Sequence, residues 1–124
     1  MTQPLALVLY ERLLPGSQLV NRLQDLKYRV HTIAKPEELV EAAKLAKPLI
    51  VLADLGNSAT PVLSAVQSLK QNPATQHLPV IAFAADATDP LKEQAQAAGV
   101  TLLVSESAAL NHLPQLLEQA LQID

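Results

Sequence analysis

The stretch Pro48-Leu49-Ile50-Val51-Leu52-Ala53-Asp54 is apolar from Pro48 to Ala53 and ends on one carboxylate. Nothing in it alternates, so neither face of a strand built from it would meet water. Strands of this kind lie in the middle of parallel sheets covered by helices on both sides. Asp54 then stands at the carboxyl end of a central strand, which is where open parallel sheets place their sites. Two readings of Asp54 compete. It starts the following loop or caps a turn, or it is an exposed nucleophile or metal ligand at the working edge of the sheet.

Four further runs flank this one: Leu5 to Tyr10, Arg29 to Ala34, Leu78 to Ala84 and Val100 to Val104. Arg29 to Ala34 is the most mixed, which places it near an edge. Segments of helical period fill the gaps. The first spans about Pro15 to Lys27, with Leu19, Val20, Leu23 and Leu26 on one face. The second starts at Pro36, with Leu39, Val40, Ala43 and Ala46 inward, acids Glu37 and Glu38 first and Lys44 and Lys47 last, as the helix dipole favours. The third opens at Thr60-Pro61, with Thr60 as expected N-cap and Val62, Val66 and Leu69 inward. The fourth opens between Thr88 and Pro90 and ends at Gly99. The last carries Leu110, Leu113, Leu117 and Leu121, with Pro114 in its first turn. Five βα units in a row make right-handed crossovers and a doubly wound α/β sheet with helices on both faces. The expectation is one domain over residues 1–124.

Composition narrows the function classes. The chain has 124 residues, 49% hydrophobic and 17% charged, a length that suits one domain. Cysteine is absent, which excludes disulfides, thiolate metal sites and cysteine nucleophiles. Nine Lys and Arg against twelve Asp and Glu give a net charge of −3 with no basic tract, so no nucleic-acid surface is expected. Aromatics at 2% leave no stacking platform for single strands. No apolar run approaches the roughly 20 residues of a membrane span. Met1 to Leu13 lacks the basic start and cleavage site of a signal peptide. The expected location is the cytoplasm, with no membrane or nucleic-acid partner.

The order of elements and Asp54 after the third run make the chain resemble the receiver domain of bacterial two-component response regulators. Asn72-Pro73-Ala74-Thr75-Gln76-His77-Leu78-Pro79 resembles the receiver loop into the fourth strand, and Ala95-Gln96-Ala97-Ala98-Gly99 resembles the ending before the fifth. The resemblance covers essentially the whole chain. It implies a flavodoxin/CheY-like (βα)5 fold with sheet order 2-1-3-4-5. Receivers take a phosphoryl group on an aspartate from a phosphohistidine. Two acids after the first strand and the phosphoacceptor hold Mg²⁺, while a Ser or Thr and a Lys bind phosphoryl oxygens.

By this resemblance Asp54 is the phosphoacceptor-like residue. The acid pair falls on Tyr10 and Glu11, leaving Glu11 and Asp54 as the weak metal set. The hydroxyl falls on Ala84, the lysine on Ser105 or Glu106, and the switch aromatic on Leu103. The proline four residues past the phosphoacceptor falls on Ser58. Without the lysine a phosphoryl group on Asp54 lacks its fixed positive partner, and an inward Glu106 would repel it. Two unit charges 4 Å apart interact by about 4 kcal/mol at an effective dielectric near 20. The reading is a degenerate, or pseudo-, receiver: a non-enzymatic module that binds a signalling protein without needing phosphorylation or a cofactor. The expected partner is a histidine kinase, a phosphotransfer protein, an output protein or a second copy. Receivers bind through the fourth helix, fifth strand and fifth helix, which maps here to Leu91, Lys92, Gln96, Leu103, His112 and Gln115. Two alternatives stay open: an active receiver phosphorylated on Asp54 with Mg²⁺, and an α/β domain that binds a small molecule in the same crevice.

Other signals are plainer. Asp86 and Asp89 flank the start of the fourth helix and read as dipole partners or caps. His31, His77 and His112 lie on different elements without metal-ligand spacing. Gly16 alone follows the first run, so no dinucleotide fingerprint is present. No serine lies in a nucleophile elbow. Leu13 and Leu14 beside Pro15 read as a hydrophobic staple or, alternatively, a docking patch.

Overall fold

A computed structural model describes residues 4–10, 13–55, 59–84 and 88–122. Five strands alternate with helices: β1 (Leu5–Leu9), α1 (Leu13–Asp25), β2 (Arg29–Ile33), a 3-10 turn (Pro36–Glu38), α2 (Leu39–Ala46), β3 (Ile50–Asp54), α3 (Ala59–Gln71), β4 (Val80–Ala84), α4 (Asp89–Ala98), β5 (Leu102–Ser105), α5 (Glu106–Asn111) and α6 (Leu113–Gln122). The strands form one parallel sheet in the order β2-β1-β3-β4-β5. This is the doubly wound arrangement expected from the runs of apolar residues.

Burial follows the pattern that the runs announced. Every residue of β3 and β4 is buried, because helices cover both faces of the sheet centre. β2 is an edge strand with Arg29, His31 and Thr32 exposed, which is why its run is mixed. The pleat sorts side chains into two layers. Leu7, Leu9, Val51, Ala53, Val80 and Ala82 pack beneath α2, α3 and α4. Ala6, Val8, Ile50, Leu52, Ile81 and Phe83 pack beneath α1, α5 and α6. Leu19 and Leu23 of α1 and Leu113 and Leu117 of α6 close that second layer. Each fully buried Leu, Ile or Phe contributes about 1.5–3 kcal/mol relative to exposure. The layers therefore fix which end of each strand meets solvent.

Four local readings need correction. The last helical stretch is two helices, not one: α5 ends at Asn111, His112 takes a non-helical φ of −122, and α6 starts at Leu113. Pro114 does lie in the first turn of α6, as its missing N–H allows. Thr60 lies inside α3 rather than capping it, since the helix already includes Ala59. Leu26 falls beyond the end of α1 and is 36% exposed rather than on its buried face. Pro36 opens a 3-10 turn that carries Glu37 and Glu38, and α2 itself begins at Leu39. Gly99 is the C-cap of α4 with φ +97, a conformation glycine adopts without penalty.

Candidate functional site

The parallel register lines up the strand ends that a receiver site would use. Leu9 pairs with Ala53, which sets Tyr10 level with Asp54. Asp54 pairs with Phe83, and Ala84 pairs with Ser105. Tyr10, Asp54, Ala84 and Ser105 therefore lie along the carboxyl edge of four neighbouring strands, β1, β3, β4 and β5, which are spaced by about 4.8 Å.

Asp54 is 5% exposed at the tip of the most buried strand. The adjoining backbone is held down, since Leu55 N–H donates to the Phe83 carbonyl at 2.8 Å. Tyr10 is half-buried against the apolar layer under α1 and α6, and its N–H donates to the Ile33 carbonyl at 3.0 Å. Where the resemblance expects a carboxylate, the chain supplies a ring committed to packing. Glu11, Ser58 and Asp86 lie outside the described residues. Magnesium prefers carboxylate oxygens and water. Asp54 is the one described carboxylate among the metal positions, and no group of three metal-ligating side chains occurs among the described residues.

Ala84 is buried and carries no hydroxyl. Ser105 does something the sequence reading missed. It is the N-cap of α5: its backbone is extended, and its Oγ accepts the Ala108 N–H at 3.1 Å. Glu106 follows as the first residue of α5, half-buried, where a negative charge suits the helix N-terminus. The positions that the resemblance assigns to a phosphate-binding lysine thus start a helix directly after β5. Ser105-Glu106 before an apolar stretch is itself an N-terminus signal, and it was legible in the sequence. Leu103 is half-buried on the opposite face, against the layer under α4.

At the start of α4, Thr88 is the cap. Its Oγ1 accepts the Leu91 N–H at 3.4 Å, and Asp89 follows in the first turn. Among the proposed partner-surface residues, Lys92, Gln96 and Leu103 line one open groove of about 300 Å³ between α4 and β5. Leu91 is half-buried against the α2–α4 layer. His112 and Gln115 are exposed at the α5–α6 break, with His112 Nδ1 3.2 Å from Gln115 Oε1. His31 lies on the β2 edge and His77 in the loop before β4, so the three histidines stay apart.

Comparison with solved structures agrees with this geometry. A putative response regulator from Chloroflexus aurantiacus superposes with a TM-score of 0.88 at 18% identity, covering 97% of this chain and 98% of the other. The fold is that of CheY-like receivers. The receiver domain of a sensor histidine kinase from Pseudomonas aeruginosa, whose own structure coordinates magnesium in its active-site cleft, gives 0.85 at 19% identity, covering 97% and 98%. The chemotaxis protein CheY4 of Vibrio cholerae gives 0.85 at 17%, covering 96% and 99%. No protein-family model matches the chain, and no curated protein does. At these identities the likeness describes the receiver fold and leaves the chemistry to the residues.

Proposed function

We propose that the chain is a degenerate receiver, a non-enzymatic module that binds a signalling protein whether or not Asp54 carries a phosphoryl group. The observation that carries this reading is Ser105. Its hydroxyl is engaged in capping α5, and by the resemblance the phosphoryl-binding lysine falls on Ser105 or on Glu106 beside it, neither of which is a lysine. Two departures support it. Ala84 offers no donor to a phosphoryl oxygen, and Leu103 offers no aromatic ring to couple with one. A phosphoryl group on Asp54 would stand without the charge-assisted hydrogen bonds that stabilise such groups. The edge formed by α4, β5 and the α5–α6 break is the proposed partner surface, for a kinase, a phosphotransfer protein, an output protein or a second copy.

The test is intact mass after incubation with Mg²⁺ and acetyl phosphate, on the native chain and on Asp54→Asn. An authentic receiver is treated alongside. The expected result is a modified control and two unmodified samples of this chain. A phosphoryl adduct on the native chain alone would establish the active-receiver reading, with Asp54 as nucleophile and Glu11 as its partner acid at the metal.

A further inference from the structure

Five basic side chains gather at the amino end of the sheet, with Asp25 at the end of α1 among them, while Lys35 and Lys92 stand at the other end. Lys27, Arg29, Lys44, Lys47 and Lys70 all lie at helix C-termini or at the amino ends of strands. Glu37, Glu38, Asp54, Asp89 and Glu106 lie at the opposite end, with the carboxyl edge of the sheet. The basic end holds a partly enclosed groove of about 220 Å³ between the end of α2 and the loop before β4. Ala43, Pro48, Ala74 and Leu78 give it an apolar lining, and Lys44, Lys47 and His77 add the polar groups. We infer that this groove is a docking site for an acidic peptide segment of a partner protein, one carboxylate side chain seating between Lys47 and His77.

Three observations argue for that occupant. The volume is below the roughly 300–1,000 Å³ of small-molecule pockets and suits a side chain better than a cofactor. Lys47 and His77 are exposed, and neither side chain forms a hydrogen bond or ion pair with another described residue. Lys44 meets Glu41 at 3.9 Å, an exposed pair of the weakest kind. The groove is also built in advance. Lys47 holds a left-handed φ of 52 at a C-cap where glycine is the usual occupant. The facing loop is pinned by Thr75, 1% exposed, whose hydroxyl donates to the Leu69 carbonyl at 2.6 Å, and by Lys70 Nζ donating to the Leu78 carbonyl. Walls fixed before binding lower the ordering cost of association.

This inference goes beyond the reading of Asp54 and stands independently of it. The test is fluorescence anisotropy with a labelled peptide of alternating glutamate and leucine, and with its glutamine counterpart, at low and high salt. The acidic peptide should bind, weaken with salt, and lose about tenfold in affinity on Lys47→Glu and on His77→Glu. Lys35→Glu, the same charge change as Lys47→Glu at the other end, and Asp54→Asn should leave binding unchanged. Equal binding of the glutamine peptide, equal loss on Lys35→Glu, or no binding by a folded native chain would overturn it. So would self-association abolished by Lys47→Glu, which would seat a second copy in the groove instead.

Discussion

Ser105 shows how one hydroxyl can serve either a helix or a site. As N-cap it satisfies one of the backbone donors that α5 leaves unpaired. Ser105→Ala should therefore lower stability by about 1 kcal/mol, read as a fall of a few degrees in Tm. Ser105→Lys should cost about as much, because lysine cannot accept the Ala108 N–H. Equal stability of Ser105→Lys and the native chain would mean that the cap is energetically idle. Lys70 offers a second test at this scale. Its ammonium is held below its ordinary 10.5 by desolvation at the end of α3, while donating to the Leu78 carbonyl. A depressed lysine binds fewer protons folded than unfolded, so its unfavourable contribution is constant at lower pH and fades as pH rises through the folded value toward 10.5. Tyr28, raised above 10.0 by desolvation, acts with the opposite sign in the same range, since the unfolded chain ionises first. The two are separated by comparison: urea midpoints of native chain minus Lys70→Met should rise as the pH climbs toward 10.5. A flat difference would show that the folded environment of Lys70 leaves its proton affinity unchanged.

Helix ends carry the element-scale argument. α1 and α2 both end on a lysine in the left-handed region, Lys27 at φ 70 and Lys47 at φ 52. An L-residue there costs about 1 kcal/mol relative to glycine. Lys27→Gly should therefore raise Tm, by up to about 4–8 °C per kcal/mol gained for a domain near this size. Gly99 presents the reverse case. At φ +97 an added Cβ would also stand 2.8 Å from the Lys70 Cγ, so Gly99→Ala should destabilise by about 1–2 kcal/mol, measured by urea unfolding. These element ends also mark where the sequence was readable. Gly99 announced its boundary because its backbone chemistry admits few alternatives, whereas Pro36 marked a 3-10 turn and α2 began three residues later. The lysine caps were silent, because nothing in a lysine's chemistry signals a left-handed turn. The break at His112 was hidden for a related reason. Leu110, Leu113 and Leu117 keep a helical spacing across it, so periodicity alone reads one helix where packing under β4 requires two. At the site, the missing groups at Ala84 and Leu103 were legible by position. The reassignment of Ser105 to a cap was recoverable only from Glu106 and the apolar residues after it.

At the scale of the whole molecule the sheet is unevenly protected, and its stability should follow. β3 and β4 are buried throughout, β1 is buried from Ala6 to Leu9, β5 is half-buried and β2 is largely exposed. Both core layers meet on the three central strands, so opening those strands breaks both at once. The edges can open while the centre stays closed, because β2 and β5 are each paired along one side only and the side chains they give to the two layers are only partly buried. Native-state hydrogen exchange should accordingly give free energies near the global value for the amides of Val51, Leu52, Ile81 and Ala82, and lower ones for His31, Ile33 and Leu103. The contrast matters for partner binding. A partner that covers the β5 edge with α4 should raise protection at Leu103 by suppressing local opening, and at Leu52 by the binding free energy that it adds to global unfolding. A peptide in the basic groove should instead protect the end of α2 and the loop around His77, at the other end of the strands. Uniform protection across β2, β3 and β5 would show that the sheet opens only as a unit, and the edge strands would then be no softer than the core.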